Sequence, residues 1–322
     1  MQTEKPKIFV AGSFVVGVTI GLPRMPIPGE GLIGDAFDLG PGGKGTNQAI
    51  AAARLGAEVS LLAGVGDDRL AEFADETYAR EGISLDHIRR IPGVNTAIGF
   101  VMLLPGGEQS IVGHLGANLR MRPEHVDAAR AAIAAADILM TQFELPIETV
   151  ARALELGRRS DCLTLWNPGP AQPVSPEIFR HVDVLTPNEH EVRILQGLPP
   201  DDPTPTVDLA ARLLEAGARQ VVVTLGRRGA LIVTAAGTLE VPAVDGVRCV
   251  DATGAGDAFN AGLAMALGGG LPLEAAARRA MFSGAYAVTR LGVIDGLPTR
   301  NELEAFIRIH DGRQPATTKC AP

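Results

Sequence analysis

Two kinds of hydrophobic spacing alternate along the chain. Short apolar, β-branched runs recur at 7–10, 14–20, 59–63, 138–140, 163–166, 184–185, 221–225 and 231–234, each closed by glycine, proline or a polar residue. Between them lie longer stretches at helical spacing: an alanine-rich one from Thr46 or Asn47 to Gly56, then 67–81, one after Pro146, one from Asn188, 258–267, 273–291 and 302–309. Continuous apolar runs separated by helices predict parallel βαβ units, with a sheet buried on both faces. The class is therefore α/β. One stretch breaks the rule. Ala97, Gly99, Val101 and Leu103 alternate with their neighbours, Pro105-Gly106-Gly107 turns, and 110–114 runs back, which predicts a β-hairpin inserted into the alternation. A hairpin so placed is a candidate lid, and the segment 14–38 is available to pair with it. His114, on that hairpin, reads as a surface residue.

Composition narrows the partners. The chain has 322 residues, enough for one large α/β domain, here read as 1–310 with a short polar tail, 311–322, expected to be disordered. With 29 basic against 37 acidic residues the net charge is −8, which argues against nucleic acid or an anionic membrane as partner. Cys162, Cys249 and Cys320 show no metal spacing and no disulfide framework, as in a reducing compartment. The uncharged stretch 8–22 is too short to span a bilayer and is interrupted by Gly12, Gly17 and Gly21, so it reads as buried strand. The expectation is a cytoplasmic protein.

Candidate chemistry concentrates where such folds bind ligands, at the carboxyl ends of the strands. Glu144 follows the run at 138–140, Asn167 that at 163–166, Asn188 that at 184–185, and Thr224 with Gly226 that at 221–223. Thr253-Gly254-Ala255-Gly256-Asp257 opens a helix that ends at Gly268-Gly269-Gly270. Its small residues leave the first amides turned outward beside the positive end of the helix dipole, an anion site with the Asp257 carboxylate next to it. That pairing suits general-base attack of a hydroxyl on a phosphoryl group. As a bare pattern it equally describes a capping Asp on a tight turn. A second glycine-rich helix entrance, Gly40-Pro41-Gly42-Gly43-Lys44-Gly45, is not a Walker loop, because Gly45 stands where Ser or Thr is required. It is either a crowded helix–sheet contact or a loop whose backbone approaches a ligand. Asn188 and Glu191, three residues apart, suit water-mediated Mg²⁺ binding or a helix cap with its reciprocal Glu.

Taken in order, these stretches resemble the ribokinase family, the phosphofructokinase-B-type carbohydrate kinases. The carriers are 42–49, Gly-Gly-Lys-Gly-Thr-Asn-Gln-Ala, and 251–259, Asp-Ala-Thr-Gly-Ala-Gly-Asp-Ala-Phe, supported by 167–170, 186–191 and 224–229. The resemblance implies a three-layer fold with a mainly parallel central sheet and a small β lid built from about 14–38 and 96–116, doubling as a homodimer surface. It implies ATP-dependent phosphorylation of a sugar hydroxyl, with Asp257 as base and the amides of Gly254, Ala255 and Gly256 as anion hole. Gly42, Gly43, Lys44, Asn47 and Glu144 would join Asp257 around the sugar. Asn188, Thr224, Gly226, Gly229 and Gly256 would line ATP, and Glu191 with Asn188 would hold Mg²⁺ through water. A potassium ion would take the Asp251 carboxylate and the carbonyls of Thr253, Ala287, Arg290 and Gly292, although Gly296 stands where relatives supply a hydroxyl. A further departure lies at the sugar. Ribokinases follow their first Gly-Ser with an Asn and then an Asp that grip ribose; here Val15 and Gly17 stand in those places. The expected function is thus a sugar kinase with an altered sugar pocket. The alternatives are a nucleoside kinase of the same fold, for which Phe14, Val15 and Val16 supply apolar surface, or a non-catalytic regulator.

Overall fold

The computed structural model describes residues 5–105 and 108–313. The tip of the hairpin turn and the tail 314–322, with Cys320, lie outside the described residues. At the start of the tail expected from residue 311, Asp311–Arg313 form a 3₁₀ turn tied to Arg278.

The strands are β1 (Lys7–Ala11), β2 (Val15–Gly21), β3 (Ala36–Gly42), β4 (Glu58–Val65), β5 (Ile88–Arg90), β6 (Ala97–Leu103), β7 (Gln109–His114), β8 (Ile138–Thr141), β9 (Leu163–Trp166), β10 (Val184–Leu185), β11 (Gln220–Thr224), β12 (Ala230–Thr234) and β13 (Gly237–Val241). The helices are α1 (Lys44–Arg54), α2 (Ala71–Glu81), α3 (Pro123–Ala128), α4 (Arg130–Ala134), α5 (Ile147–Arg159), α6 (Glu191–Ile194), α7 (Thr206–Glu215), α8 (Ala255–Gly268), α9 (Leu273–Ala287), α10 (Val293–Gly296) and α11 (Arg300–His310). Nine strands form the central sheet in the order β13-β12-β11-β10-β9-β8-β1-β4-β5, parallel except where β12 and β13 join antiparallel.

Both faces of this sheet are buried, as its apolar runs require. Along β1 the side chains alternate: Ile8 and Val10 pack with α1, α2, α8 and α9, whereas Phe9 and Ala11 pack with α3, α4, α5 and α7. The result is three layers, helices over sheet over helices. Ala49, Ala51 and Ala52 of α1 are fully buried, and their small size lets α1 lie close to α8.

A second sheet, β3-β2-β6-β7, stands apart from the first. Its strands come from two distant stretches, with β2 and β6 running parallel and β3 and β7 antiparallel on the edges. Here β3 (Ala36–Gly42) departs from the sequence expectation, which ends the paired segment at 38 and reads Gly40-Pro41-Gly42 as part of a glycine-rich helix entrance. Pro41 is tolerated because β3 is an edge strand, where a missing N–H costs no ladder bond. Two helices are shorter than their spacing suggests. The one expected from Asn188 is only α6, and α9 stops at Ala287, because the Val288 carbonyl there accepts from the N–H groups of Val250 and Asp251.

Candidate active site

Asp257 lies in the first turn of α8 and is almost fully buried. Gly254 supplies the turn before it, at φ 81° and with no room for a side chain, since a Cβ would sit 2.7 Å from Val293 Cγ1. The amides of Gly256 and Asp257 have no carbonyl one turn earlier within the helix, whereas the Ala255 N–H donates to the Ala252 carbonyl at 3.3 Å.

Helix α1 holds the carboxylate from the other side. Asn47 Nδ2 donates to Asp257 Oδ2 at 2.8 Å, and Gln48 Nε2 donates to Oδ1 at 3.0 Å. Asn47 Oδ1 is buried and accepts no hydrogen bond among the described residues. The entrance to α1 is set by close backbone approach. Gly45 lies against the Gly12-Ser13 turn that ends β1, where a Cβ would meet Ser13 N at 2.2 Å. Gly43, at φ 89°, packs against Ser13 and Val15. Crowding holds at Gly45, whereas Gly42 is open, with Val15 O at 3.5 Å as the nearest neighbour to an added Cβ.

Glu144, in the loop after β8, pins that entrance. Its Oε2 accepts from the Lys44 N–H at 2.7 Å and from the Ser13 hydroxyl. Burial raises its pKa above the usual carboxylate range, against the opposing pull of Ser13 and Lys44. The Lys44 ammonium lies 4.0 Å from Asp257 Oδ1. Its Cε also borders Gly169, next to Glu191 Oε1. Asp257 above all, then Glu144 and Glu191, hold the Lys44 pKa above the ordinary lysine value.

Asn188 and Glu191 do not share a helix face. They cap one another: Asn188 Oδ1 accepts from Glu191 N–H at 2.8 Å, and Glu191 Oε2 accepts from Asn188 N–H at 2.8 Å. Glu191 Oε1 is left turned toward Gly169 and Lys44, and burial raises the Glu191 pKa. Asn188 also pairs with Thr224, which brings the ends of β10 and β11 together. Beyond Thr224 the chain turns through Gly226, at φ 57°, to Gly229. Gly229 has a packing reason of its own, because a Cβ there would lie 2.0 Å from Val241 O.

The loop at Asp251 is held by hydrogen bonds. Asp251 Oδ1 accepts from Thr253 N–H at 2.9 Å and Thr253 Oγ1 at 2.6 Å, and Oδ2 accepts from Gly292 N–H at 3.1 Å. At Gly296 a Cβ would lie 2.7 Å from Ala287 O. Arg290 turns its guanidinium to Glu302 and over the Tyr286 ring.

A buried polar chain behind the site was not singled out from the sequence. Gln142 donates to Gln48 Oε1 at 2.6 Å, and Gln48 in turn donates to Asn167 Oδ1 at 3.1 Å as well as to Asp257. Asn167 donates to the Thr186 carbonyl at 2.9 Å, Thr186 Oγ1 to Asn260 Oδ1 at 2.5 Å, and Asn260 to the Gly256 carbonyl at 2.8 Å. The one available signal was Gln48 itself, a polar residue facing inward from an alanine-rich helix.

Known proteins fit this geometry. Residues 6–300 match the model of the pfkB family carbohydrate kinases. The chain belongs to the pfkB family. The ribokinase of Haemophilus influenzae is 34% identical over 298 residues, covering 92% of this chain and 97% of that protein. The deoxyribokinase of Salmonella typhi is 32% identical, covering 94% of this chain and 99% of its own. The solved structure of Arabidopsis thaliana ribokinase complexed with ribose and ATP superimposes with a TM-score of 0.86 at 26% identity, covering 94% of this chain and 99% of that one. This pfkB-family protein is an ATP-dependent sugar kinase of ribokinase type with the three-layer fold. No helix among the described residues is long and apolar enough to cross a membrane.

Proposed function

We propose that Asp257 is the general base that takes the proton of a monosaccharide hydroxyl as that oxygen attacks the γ-phosphorus of ATP. The observation that carries this reading is the buried cluster of Asp257, Asn47 and Gln48, in which both carboxylate oxygens are oriented while Asn47 Oδ1 keeps an acceptor for a sugar hydroxyl. Charge developing on the phosphoryl oxygens would meet the first-turn amides of α8 and the Lys44 ammonium. Glu144, with one oxygen committed to the α1 entrance, would present the other to the sugar beside Gly42 and Gly43. Thr224 to Gly229 would border the nucleotide.

The site has three carboxylates around one lysine, so it favours bringing ATP in with a cation. Glu191 Oε1 is a hard oxygen in a buried place, which suits Mg²⁺ held through water with Asn188 alongside. When bound with ATP, Mg²⁺ supplies neutralisation of the phosphate charge. For potassium the residues fit only in part: both Asp251 oxygens already accept donors, and Gly296 adds no side-chain oxygen. No step is routed through it.

In this reading the second sheet is the lid over the sugar, and its outer face is a homodimer surface. The protein works in the cytoplasm on a small sugar. The test is ADP release by the purified protein with Mg²⁺-ATP and a panel of pentoses, hexoses and nucleosides. Acceptor-dependent ADP release that disappears in Asp257→Asn is expected. Equal release by the variant would sink the assignment of the base.

A further inference from the structure

The second sheet reaches the loop before α8 from both of its edges. Residues paired across a ladder share a face, as do residues two apart on a strand. Asp38, opposite Thr19, and Gln109, opposite Leu103, therefore lie on the same side of the sheet as Val15, which abuts Gly43 at the α1 entrance. They belong to opposite edge strands, β3 and β7. Gln109 Oε1 accepts from Thr253 Oγ1 at 2.7 Å, and Asp38 Oδ2 lies 3.9 Å from where a Cβ would stand at Gly292.

Both points border Gly254, the residue that opens α8. Thr253 precedes it directly. Gly292 precedes Val293, whose Cγ1 would lie 2.7 Å from a Cβ at Gly254. Asp251 joins the two, its Oδ1 accepting from Thr253 and its Oδ2 from the Gly292 N–H. A hydroxyl has one proton, so Gln109 at 2.7 Å and Asp251 at 2.6 Å share that of Thr253. The sheet thus takes part in fastening the turn from which the α8 amides emerge. Packing does not account for Gln109: it is exposed on an edge strand, and its side chain makes no other hydrogen bond among the described residues.

We propose that Gln109 is a positioning residue for phosphoryl transfer. From the edge of the second sheet it holds Thr253, and through Thr253 the turn at Gly254 that aims the first amides of α8. This rests on the reading of that turn as the end of the site that receives the transferring phosphoryl group. Asp38 has a supporting part, a contact at Gly292 without a hydrogen bond. An acceptor enclosed by the sheet finds the amides aligned, whereas ATP under an open sheet meets a turn held by Asp251 alone. Donors stabilise developing charge only as far as they are already in place, so loss of Gln109 belongs in kcat rather than in capture of the sugar.

The test uses the full-length protein with Mg²⁺-ATP and whichever of ribose, 2-deoxyribose, xylose and fructose the wild type turns over fastest. Gln109→Leu should lower kcat about three- to tenfold, the range for one neutral hydrogen bond, with little change in sugar KM and an unchanged melt. Thr253→Val should lower kcat at least as far, and Thr253→Ser, which keeps the hydroxyl, should retain most of it. Thr253→Ala stands in should the valine variant unfold. Adding Gln109→Leu to either hydroxyl-free variant should cost nothing more, because the two residues act through one contact. Wild-type kcat in Gln109→Leu, or additive losses in the double variant, overturns the proposal. So does a loss confined to KM, which would mean that Gln109 only holds the sheet over the sugar. Asp257→Asn is measured alongside. If it keeps wild-type kcat, the reading of the reacting end fails and this proposal with it; if it is inactive while Gln109→Leu is silent, only the proposal falls.

Discussion

The carboxylate of Asp257 is gripped by two amides from consecutive residues of one helix, and that arrangement separates orientation from chemistry. Asp257→Asn preserves shape and burial but removes the proton acceptor. We expect kcat to fall by about 10²–10⁴, the usual range for loss of a general base, with a small change in sugar KM and a near-native melt. Gln48→Leu acts differently. It leaves Gln142 Nε2 and Asn167 Oδ1 without a buried partner, each at a cost of about 1–3 kcal/mol, and lets the carboxylate turn. A lower melting temperature together with a fall in kcat is expected; an unchanged melt would show that Gln142 and Asn167 find other partners. The place of Asp257 was legible in the sequence because Gly-Ala-Gly opens a helix and puts the next carboxylate in its first turn. The role of Gln48 was not, because its partners Gln142 and Asp257 lie 94 and 209 residues away. The surroundings of Lys44 were not legible either, because the carboxylates around it come from three separate elements and only folding brings them together.

Whole strands and helices were legible where burial alone decides them, as along β1, β8, β9 and β11. They were not legible where a partner overrides local preference, as in β3, held by its ladder to β2 despite two glycines and a proline, or where a helix stops early, as α6 does after four residues, shortly before Gly197 at φ 75°. The ladder also bears on substrate choice. Gly17 has ordinary φ, and a Cβ there would have Gly40 O as its nearest neighbour at 3.6 Å. Val15→Asn with Gly17→Asp should therefore fold and raise kcat/KM for ribose, each restored hydrogen bond being worth about 0.5–3 kcal/mol; no gain with a native melt would place the ribose grip elsewhere. At α11 the cap is electrostatic. Thr299 N–H and Oγ1 donate to Glu302 Oε2 at 2.9 and 2.7 Å, and these bonds hold the Glu302 pKa down at about 2. A depressed carboxylate pKa stabilises the fold above the unfolded value of about 4.3, and that contribution is lost as pH falls toward 2. The melting temperature of wild type should exceed that of Glu302→Gln at pH 7, and the gap should narrow below about pH 4 and close toward pH 2. A gap independent of pH would mean that the charge is not what caps the helix.

At the scale of the whole molecule, the lid's outer face is the feature a monomer leaves unexplained. Phe37 is 71% exposed, Val112 61% and Phe100 44%, and register places all three on one side of the sheet with Leu39. A contiguous apolar sheet face of this kind marks an interaction surface, and a second copy of the same face satisfies it through a two-fold axis, each patch meeting its twin. Dimerisation would also shield a lid whose edge strands, β3 and β7, have unpaired ladder groups. The wild type is expected to sediment as a dimer at micromolar concentration. Phe37→Glu with Phe100→Glu should give a monomer, because two carboxylates brought to the centre of a symmetric interface face their own copies. Both side chains point away from the site, so loss of activity in the monomer would report lid order rather than direct contact with substrate. A rise in KM larger than the fall in kcat is the expected form, since a loose lid weakens sugar capture before it touches the base. A wild type that sediments as a monomer, or a double variant that remains dimeric, would remove the lid from the interface.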